Sequence, residues 1–258
     1  MQHSQHEFGE TRNVTCPSGL SGVVRNMTVG ESRILTGKQR ESVAQLNRLL
    51  SACWLETTDA GPYALEGGTI CWNDVLQGDR FYVLMQVRVL TFGEEYAFSV
   101  PCQNRACARR IDWTLNLSEL SVRALSDASR EKFVQGNRFG IGLPGGHQGV
   151  FGLPVGKDEA QLARLQSGED ANLLPMLLNL RIRDIEGLPP LQRAAYLNRM
   201  SLRQARDLLA EFDRADCGVE TDIDIECPNC GYGQRVSLPL EQGFLWPQNR
   251  SGSSQSAA

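Results

Sequence analysis

The spacing of apolar residues along the chain predicts several amphipathic helices. In residues 38–57 the apolar side chains recur every three or four positions, which places them on one face of a helix. Residues 73–90 show a similar spacing, although their run FYVLMQVRVL is rich enough in β-branched and aromatic residues to form a strand. The helical period returns in the second half, where Ser201 and Gln204 form a capping box. Four helices are predicted there, over residues 158–166, 172–186, 190–200 and 202–214.

Alternation of apolar and polar residues predicts strands around two pairs of cysteines. Residues 94–100 and 111–117 alternate on either side of the first pair, and residues 219–225 and 236–240 do so around the second. A glycine-rich stretch over residues 138–155 predicts a further β-hairpin. Each cysteine pair therefore lies at the tip of a strand–turn–strand unit.

The composition is that of an ordinary globular protein with an unusual balance of cysteine and histidine. Of the 258 residues 41% are hydrophobic, which excludes disorder as the main state, and the net charge of -4 lacks the basic excess typical of nucleic-acid-binding proteins. The N-terminal segment lacks the apolar stretch of a secretory signal, and no apolar run is long enough to span a bilayer. We therefore expect a cytoplasmic protein without membrane insertion. In that reducing compartment, eight cysteines beside three histidines indicate metal binding more than disulfides.

Four of the cysteines form two close pairs in matching strand contexts. Cys102 and Cys107 are separated by four residues (the first knuckle), and Cys227 and Cys230 by two (the second knuckle). Turns of this size direct both sulfurs toward one ion, and two such turns complete the tetrahedral four-sulfur coordination of structural zinc. Two alternatives stay open at this point: ordinary hairpin turns with reduced thiols and no metal, or a disulfide or redox-active pair at the second knuckle.

The other cysteines have different surroundings. Cys53 lies on the apolar face of the first predicted helix and Cys71 stands beside a tryptophan, so both are expected to pack in the core. Cys16 is expected to be a lone thiol. Cys217 lies ten residues before the second knuckle, where a role as an additional metal ligand stays open.

The predicted meeting of the two knuckles determines the expected fold. If the two knuckles share one ion, the N- and C-terminal segments of the chain lie next to each other and the segment between the knuckles forms a separate lobe. We expect an α+β fold in which a zinc-stapled β-hairpin unit is built from the N- and C-terminal segments and carries a mainly helical insertion. The expected units are a mobile leader over residues 1–13, a zinc-knuckle domain formed by residues 14–120 and 216–247, an inserted β-hairpin and helical lobe over residues 121–215, and a disordered tail over residues 248–258.

The chain lacks the residue patterns of common hydrolases and zinc enzymes. It contains no His-Glu-x-x-His, no deaminase His-x-Glu, no P-loop and no Gly-x-Ser-x-Gly sequence. His147 lies in a glycine-rich stretch, which indicates a loop tip rather than the partner of a nucleophilic cysteine. Asp213, Asp216 and Glu220 predict a solvated acidic turn near a helix end. We therefore expect a protein without enzymatic activity.

The first knuckle also raises the alternative of a zinc ribbon that binds nucleic acid. Basic side chains surround this knuckle and can contact phosphates: Arg105, Arg109 and Arg110. Acidic side chains flank the second knuckle and offset that charge: Glu220, Asp222, Asp224 and Glu226. Nucleic acid is therefore the less favoured partner.

Three long segments carry a family resemblance. They read PSGLSGVVRNMTVGESRIL near the N-terminus, LQGDRFYVLMQVRVLTFGEEYAFSVPC in the middle, and FDRADCGVETDIDIECPNCG followed by FLWP near the C-terminus. In this order, and over most of residues 14–247, the chain resembles the base-plate proteins of T-even bacteriophages, which include hub and hub-assembly subunits, and their relatives in phage-like contractile injection systems.

The resemblance implies a structural or assembly role at the base-plate of a contractile tail. The implied partners are hub, spike or wedge proteins, with no small-molecule substrate, and the implied location is the bacterial cytoplasm during assembly and the base-plate if the protein is retained. The four knuckle cysteines carry over as metal ligands. Gly78, Asp79 and Arg80 are the most distinctive matched residues and are expected to form a helix start and an interface element.

An aromatic segment near the C-terminus offers two interpretations. Phe244 and Trp246 stand beside Leu245 and Pro247, which is typical of a docking peptide for a partner protein. A strand that caps the core of this chain is the other interpretation.

Overall fold

The chain combines helices with small antiparallel sheets, which agrees with the expected mixture of α and β structure. The structure is a computed structural model that describes residues 9–35, 42–159, 161, 173–239 and 242–245. Its helices are α1 (Ser32–Leu35), α2 (Ser42–Cys53), α3 (Gln77–Phe92), α4 (Asp127–Val134), α5 (Leu173–Arg181), α6 (Pro190–Asn198), α7 (Leu202–Ala215) and α8 (Gln242–Leu245). Its strands are β1 (Thr11–Thr15), β2 (Ser21–Arg25), β3 (Trp54–Asp59), β4 (Leu65–Glu66), β5 (Thr69–Ile70), β6 (Glu95–Pro101), β7 (Arg110–Asn116), β8 (Val122–Arg123), β9 (Phe139–Gly142), β10 (Gln148–Phe151), β11 (Ile182–Ile185), β12 (Gly218–Val219), β13 (Asp222–Glu226) and β14 (Gly233–Ser237).

The first hydrophobic core surrounds helix α3. Three consecutive residues of this helix, Val83, Leu84 and Met85, are buried, so the helix is covered on more than one side. The antiparallel sheet β1–β2–β3 packs against it, together with α2. Leu238 and Phe244 from the C-terminal segment complete this core. The helical interpretation of the run FYVLMQVRVL is thereby confirmed.

The second hydrophobic core lies in the middle of the chain. All its buried members except Leu76 come from residues 125–217, and they include the sheet β11–β10–β9 and the inner face of α7. The predicted hairpin is confirmed as β9 and β10, and the capping box at Ser201 and Gln204 is present at the start of α7. Strands β8 and β12 pair with each other where the chain passes into this region and returns from it.

Three segments have a structure other than the predicted one. Strand β1 begins at Thr11, inside the predicted mobile leader, because it pairs with β2. The helix expected over residues 38–57 ends at Cys53, and Trp54 begins a strand that pairs with β2. Likewise, residues from Ile182 onward leave the predicted helix and form β11 beside β10. The tail expected over 248–258 lies wholly outside the described residues, and the helix expected over 158–166 lies largely outside them.

The two strand–turn–strand units predicted around the cysteines are present. The first is the antiparallel hairpin β6–β7, in register from Glu95 opposite Asn116 to Pro101 opposite Arg110. The second is β13–β14, in register from Asp222 to Glu226 along β13. A small hydrophobic cluster, formed by Cys102, Ile111, Ile225 and Cys227, packs the two hairpins against each other below their tips.

Candidate metal centre

Four cysteine sulfurs converge where the tips of the two hairpins meet. The Sγ atoms of Cys102, Cys107, Cys227 and Cys230 all lie within 4.8 Å of one another. Cys102 Sγ is 3.8 Å from Cys230 Sγ, and Cys107 Sγ is 4.0 Å from Cys227 Sγ. In a tetrahedral site with zinc–sulfur bonds of about 2.3 Å, neighbouring sulfurs are about 3.8 Å apart. These four cysteines can hold a metal ion in that geometry.

Four residues separate the two cysteines of the first knuckle, and hydrogen bonds to Asn104 fold them into a tight turn. The Asn104 side-chain oxygen accepts a hydrogen bond from the Ala106 backbone N–H at 3.0 Å. Its backbone carbonyl accepts from the N–H groups of Cys107 and Ala108, at 2.9 and 3.0 Å. Ala108 has a positive φ of 48°, which reverses the chain into β7. Four intervening residues therefore still bring both sulfurs to the same side of the turn.

The second knuckle has the compact form expected of a two-residue spacing. The Gly231 N–H donates to the Cys227 carbonyl at 2.9 Å, and the Cys227 N–H donates to the Tyr232 carbonyl at 3.0 Å. Gly231 has a φ of 68°, a conformation that glycine adopts without strain. The glycine that follows the second cysteine in the sequence therefore closes the turn.

A buried glutamine, Gln234, joins the two hairpins independently of the sulfurs. Its side-chain oxygen accepts from the Gln103 N–H at 2.8 Å, and its amide nitrogen donates to the Pro101 carbonyl at 3.1 Å. Gln234 is not among the residues predicted from the sequence. The signal was present, because Gln234 alternates with Val236 in β14 and with Leu238 just after it, and a polar residue at such an inward position needs a partner.

The electrostatic surroundings favour a thiolate at Cys107. Hydrogen bonding, first from the Arg109 backbone N–H and then from the Asn229 side chain, lowers the pKa of Cys107 to about 7. Cys102 and Cys227 are buried, Cys107 is half-buried and Cys230 is exposed. A tetrahedral zinc site with four cysteine ligands has no open coordination position, whereas a catalytic zinc site keeps one.

The remaining cysteines lie elsewhere. Cys53 is buried in the first core, as predicted, whereas Cys71 is only half-buried. Cys16 is buried in the first core, and Cys217 belongs to the second core. Cys217 is not a member of the four-sulfur group found among the described residues.

The residues Gly78, Asp79 and Arg80 begin helix α3 but lie inside the molecule. Asp79 is fully buried and accepts hydrogen bonds from the Ser18 backbone N–H at 3.0 Å, from the Ser18 hydroxyl, and from the Tyr63 hydroxyl at 2.6 Å. Burial raises the pKa of Asp79 in spite of these donors. The interface expected here is therefore an internal one, since Asp79 contacts other segments of the same chain.

Arg80 is also buried and contacts other segments of the same chain. Its side chain is 1% exposed, donates to the Trp72 carbonyl at 2.6 Å and forms a two-pronged ion pair with Glu159, at 2.8 and 3.2 Å. The ion pair compensates the cost of burying its charge. Gly78 allows the backbone of α3 to approach the backbone at Cys217.

The acidic residues near the end of α7 are all paired with arginines, and two of the three are exposed to solvent. Asp213 and Glu220 both contact Arg123, with nearest distances of 2.8 and 3.6 Å. Asp216 contacts Arg181 at 3.3 Å and is 14% exposed, and burial raises its pKa. The prediction of a solvated acidic turn is therefore confirmed for Asp213 and Glu220, which are exposed, and wrong for Asp216, which is largely buried against Arg181.

His147 and Phe244 also make contacts within the chain. The His147 ring packs edge-on against Tyr196 with a centroid distance of 5.3 Å. Phe244 is 2% exposed and packs between Phe81 and Tyr96, which agrees with the core-capping interpretation, although its segment is helical. Trp246 lies outside the described residues.

Comparisons with protein-family models, curated proteins and solved structures found no match to this chain. Within the described part of the chain, no helix combines the length and the apolar character needed to cross a bilayer.

Proposed function

We propose that the four-cysteine centre binds one zinc ion with a structural role. The observation that carries this proposal is the convergence of four sulfurs, with spacings of 3.8 and 4.0 Å, from two knuckles more than a hundred residues apart. Soft thiolate ligands in a tetrahedron favour zinc over the harder divalent cations. Since both knuckles are needed to complete the site, the ion holds the ends of two hairpins together.

Metal analysis of the purified protein tests the zinc site. We expect about one equivalent of zinc in the wild-type protein and its loss in the variants C102S and C227S, with a marked fall in stability because structural zinc stabilises small folds by several kcal/mol or more. Cys71 is half-buried and outside the centre, so C71S is the matched control and should retain the metal. Less than half an equivalent in the wild-type protein, with C227S equally stable, would contradict the proposal.

We further propose that the chain is a non-enzymatic structural or assembly protein of the base-plate hub region, in a phage tail or a phage-like contractile injection system. The resemblance supports this, and the three segments that carry it contact one another in the folded chain. Ser18 of the first segment bonds to Asp79 of the second, and Gly78 of the second lies against Cys217 of the third. The three segments that carry the resemblance therefore pack against one another inside this chain.

Hub, spike or wedge proteins encoded beside this chain are the proposed partners, and the bacterial cytoplasm is the proposed place of assembly. A tagged copy expressed with its neighbouring genes should co-purify with at least one of these proteins. Deletion of its gene should abolish assembled tails, whether or not the protein stays in the finished particle. Intact tails after deletion, together with purified particles that lack the protein, would contradict the proposal.

A nucleic-acid-binding zinc ribbon is the second candidate. The observation that favours it is the exposure of Arg105 and Arg109 beside the first knuckle, with the exposed ring of Tyr232 at the second. This candidate predicts salt-sensitive binding to DNA or RNA that the double variant R105A/R109A weakens. The acidic outer face of β13, formed by Asp222, Asp224 and Glu226, opposes such binding and places this candidate second.

A further inference from the structure

Two asparagines reach across the candidate metal centre in opposite directions. Asn104 belongs to the first knuckle, and its Nδ2 is 3.7 Å from the sulfur of Cys230 in the second. Asn229 belongs to the second knuckle, and its Nδ2 is 3.2 Å from the sulfur of Cys107 in the first. Each knuckle therefore donates one side-chain N–H group to a sulfur held by the other.

The orientation of the Asn104 amide is set by its neighbours. Its oxygen is engaged by the Ala106 N–H at 3.0 Å, so the amide nitrogen is the end that points toward Cys230. Cys230 is the exposed sulfur of the four, and Cys107 is the half-buried one. The two donors thus lie beside the two sulfurs that are most open to water and to competing reagents.

We propose that Asn104 and Asn229 are positioning residues of the metal centre that slow the loss of the ion. This inference rests on the proposed metal site. Four thiolates around a divalent cation leave a net charge of -2, and N–H donors beside the sulfurs stabilise that excess negative charge. Each donor also links the two hairpins, so a departing sulfur must break a hydrogen bond as well as a metal bond.

Cobalt(II) bound in place of zinc provides a spectroscopic test, because its sulfur-to-cobalt charge-transfer band reports the electron density on the sulfurs. Asn229→Leu keeps the size of the side chain and removes the donor. Asn104→Ser keeps an oxygen that can accept from the Ala106 N–H and so retain the turn, but it removes the amide nitrogen. We expect the charge-transfer band to move to lower energy in both variants.

The rate of metal transfer to an added chelator is the second measurement. Groups that hydrogen-bond to metal ligands typically change metal affinity by about 10- to 100-fold, so we expect loss at least several-fold faster in each variant and fastest in the double variant. Asn116→Ala is the matched control. Asn116 lies at the far end of β7, where its side chain bonds to Ser118 and Glu94, and its variant should leave both readouts unchanged.

The outcomes separate this inference from the metal site itself. If the wild-type protein binds cobalt with a four-sulfur spectrum, while N104S and N229L show the same band and the same loss rate, the inference is overturned and the site stands. A wild-type protein that takes up no cobalt overturns both.

Discussion

At the residue scale, Gly78 is the position where the packing leaves no room for a side chain. A β-carbon built there would stand 2.8 Å from the Cys217 carbonyl carbon and 2.9 Å from the Gly218 α-carbon. Both are backbone atoms, which cannot rotate away. We therefore expect Gly78→Ala to lower the free energy of unfolding by about 2–3 kcal/mol, measured by urea denaturation.

The control for that substitution is Gly140→Ala. No atom of the described residues lies within 4 Å of a β-carbon at Gly140, which is in strand β9. The same chemical change should be nearly neutral there, because it creates no clash. Equal stability losses in the two variants would show that Gly78 is not a point of close backbone contact.

Glu31 provides a pH-dependent prediction. Arg25 hydrogen-bonds to it at 2.8 Å and, with Thr28, lowers the pKa of the carboxyl to about 2. A carboxyl with a lower pKa in the folded chain stabilises the fold above its unfolded pKa, and this contribution disappears as the pH falls through the folded pKa. We expect Glu31→Gln to cost about 2 kcal/mol near pH 7 and much less near pH 2.

Stability curves of the wild-type and Glu31→Gln proteins between pH 7 and pH 2 provide this measurement. The two curves should converge mainly between about pH 4.5 and pH 2. Glu119 is exposed, and Glu119→Gln is the control that should follow the wild-type curve throughout. A constant difference between wild type and Glu31→Gln at every pH would contradict the assignment of the effect to this ion pair.

At the element scale, Phe244 is the buried side chain that anchors the short C-terminal helix α8 to the first core, with Leu245 partly buried beside it. The Phe244 ring lies 6.2 Å from that of Phe81 and 5.2 Å from that of Tyr96, between centroids, and the Tyr96 hydroxyl donates to the Pro239 carbonyl at 2.5 Å. We expect Phe244→Ala to cost about 3–4 kcal/mol in thermal or urea unfolding. Phe92→Ala is the control, because Phe92 is 41% exposed and should cost less than about 1 kcal/mol.

The elements that the sequence predicted well are those whose pattern is local. The capping box of α7, the alternation of β6 and β7 and the close cysteine spacings all depend on residues a few positions apart. Strands β3 and β11 were missed because each continues a helical period, and pairing with β2 or β10 decides its conformation. Tertiary pairing of this kind overrides local propensity.

The candidate site also contains residues that a local pattern predicts and residues that only tertiary contacts bring to the site. The four candidate ligands could be predicted from their spacing, because a knuckle is a local structure. The alternation around β14 marks Gln234 as an inward polar residue, but its partners and the crossing contacts of Asn104 and Asn229 depend on how two hairpins face each other across more than a hundred residues, which no local pattern contains. Partners of this kind are found only once the hairpins are placed side by side.

At the scale of the whole molecule, the candidate metal centre belongs to a small hydrophobic cluster of its own rather than to either large core. We therefore expect a chelator to loosen the molecule unevenly. Hydrogen exchange should speed up in the hairpins β6–β7 and β13–β14, whereas the sheet β9–β10–β11 should keep its protection. The C227S variant should show the same uneven pattern without chelator. Uniform loss of protection, or none, would contradict a local structural role for the ion.

The pairing of β8 with β12 has a consequence for how such a chain can change over evolutionary time. Gly218 lies opposite Arg123 and Val219 opposite Val122. The two ends of the segment between these strands are therefore adjacent and hydrogen-bonded to each other. A segment whose ends are adjacent can be lengthened, shortened or exchanged with little strain on the frame that carries it. Insertions and deletions among relatives should therefore concentrate between these two strands, and the frame around α3 and the two knuckles should keep a constant length.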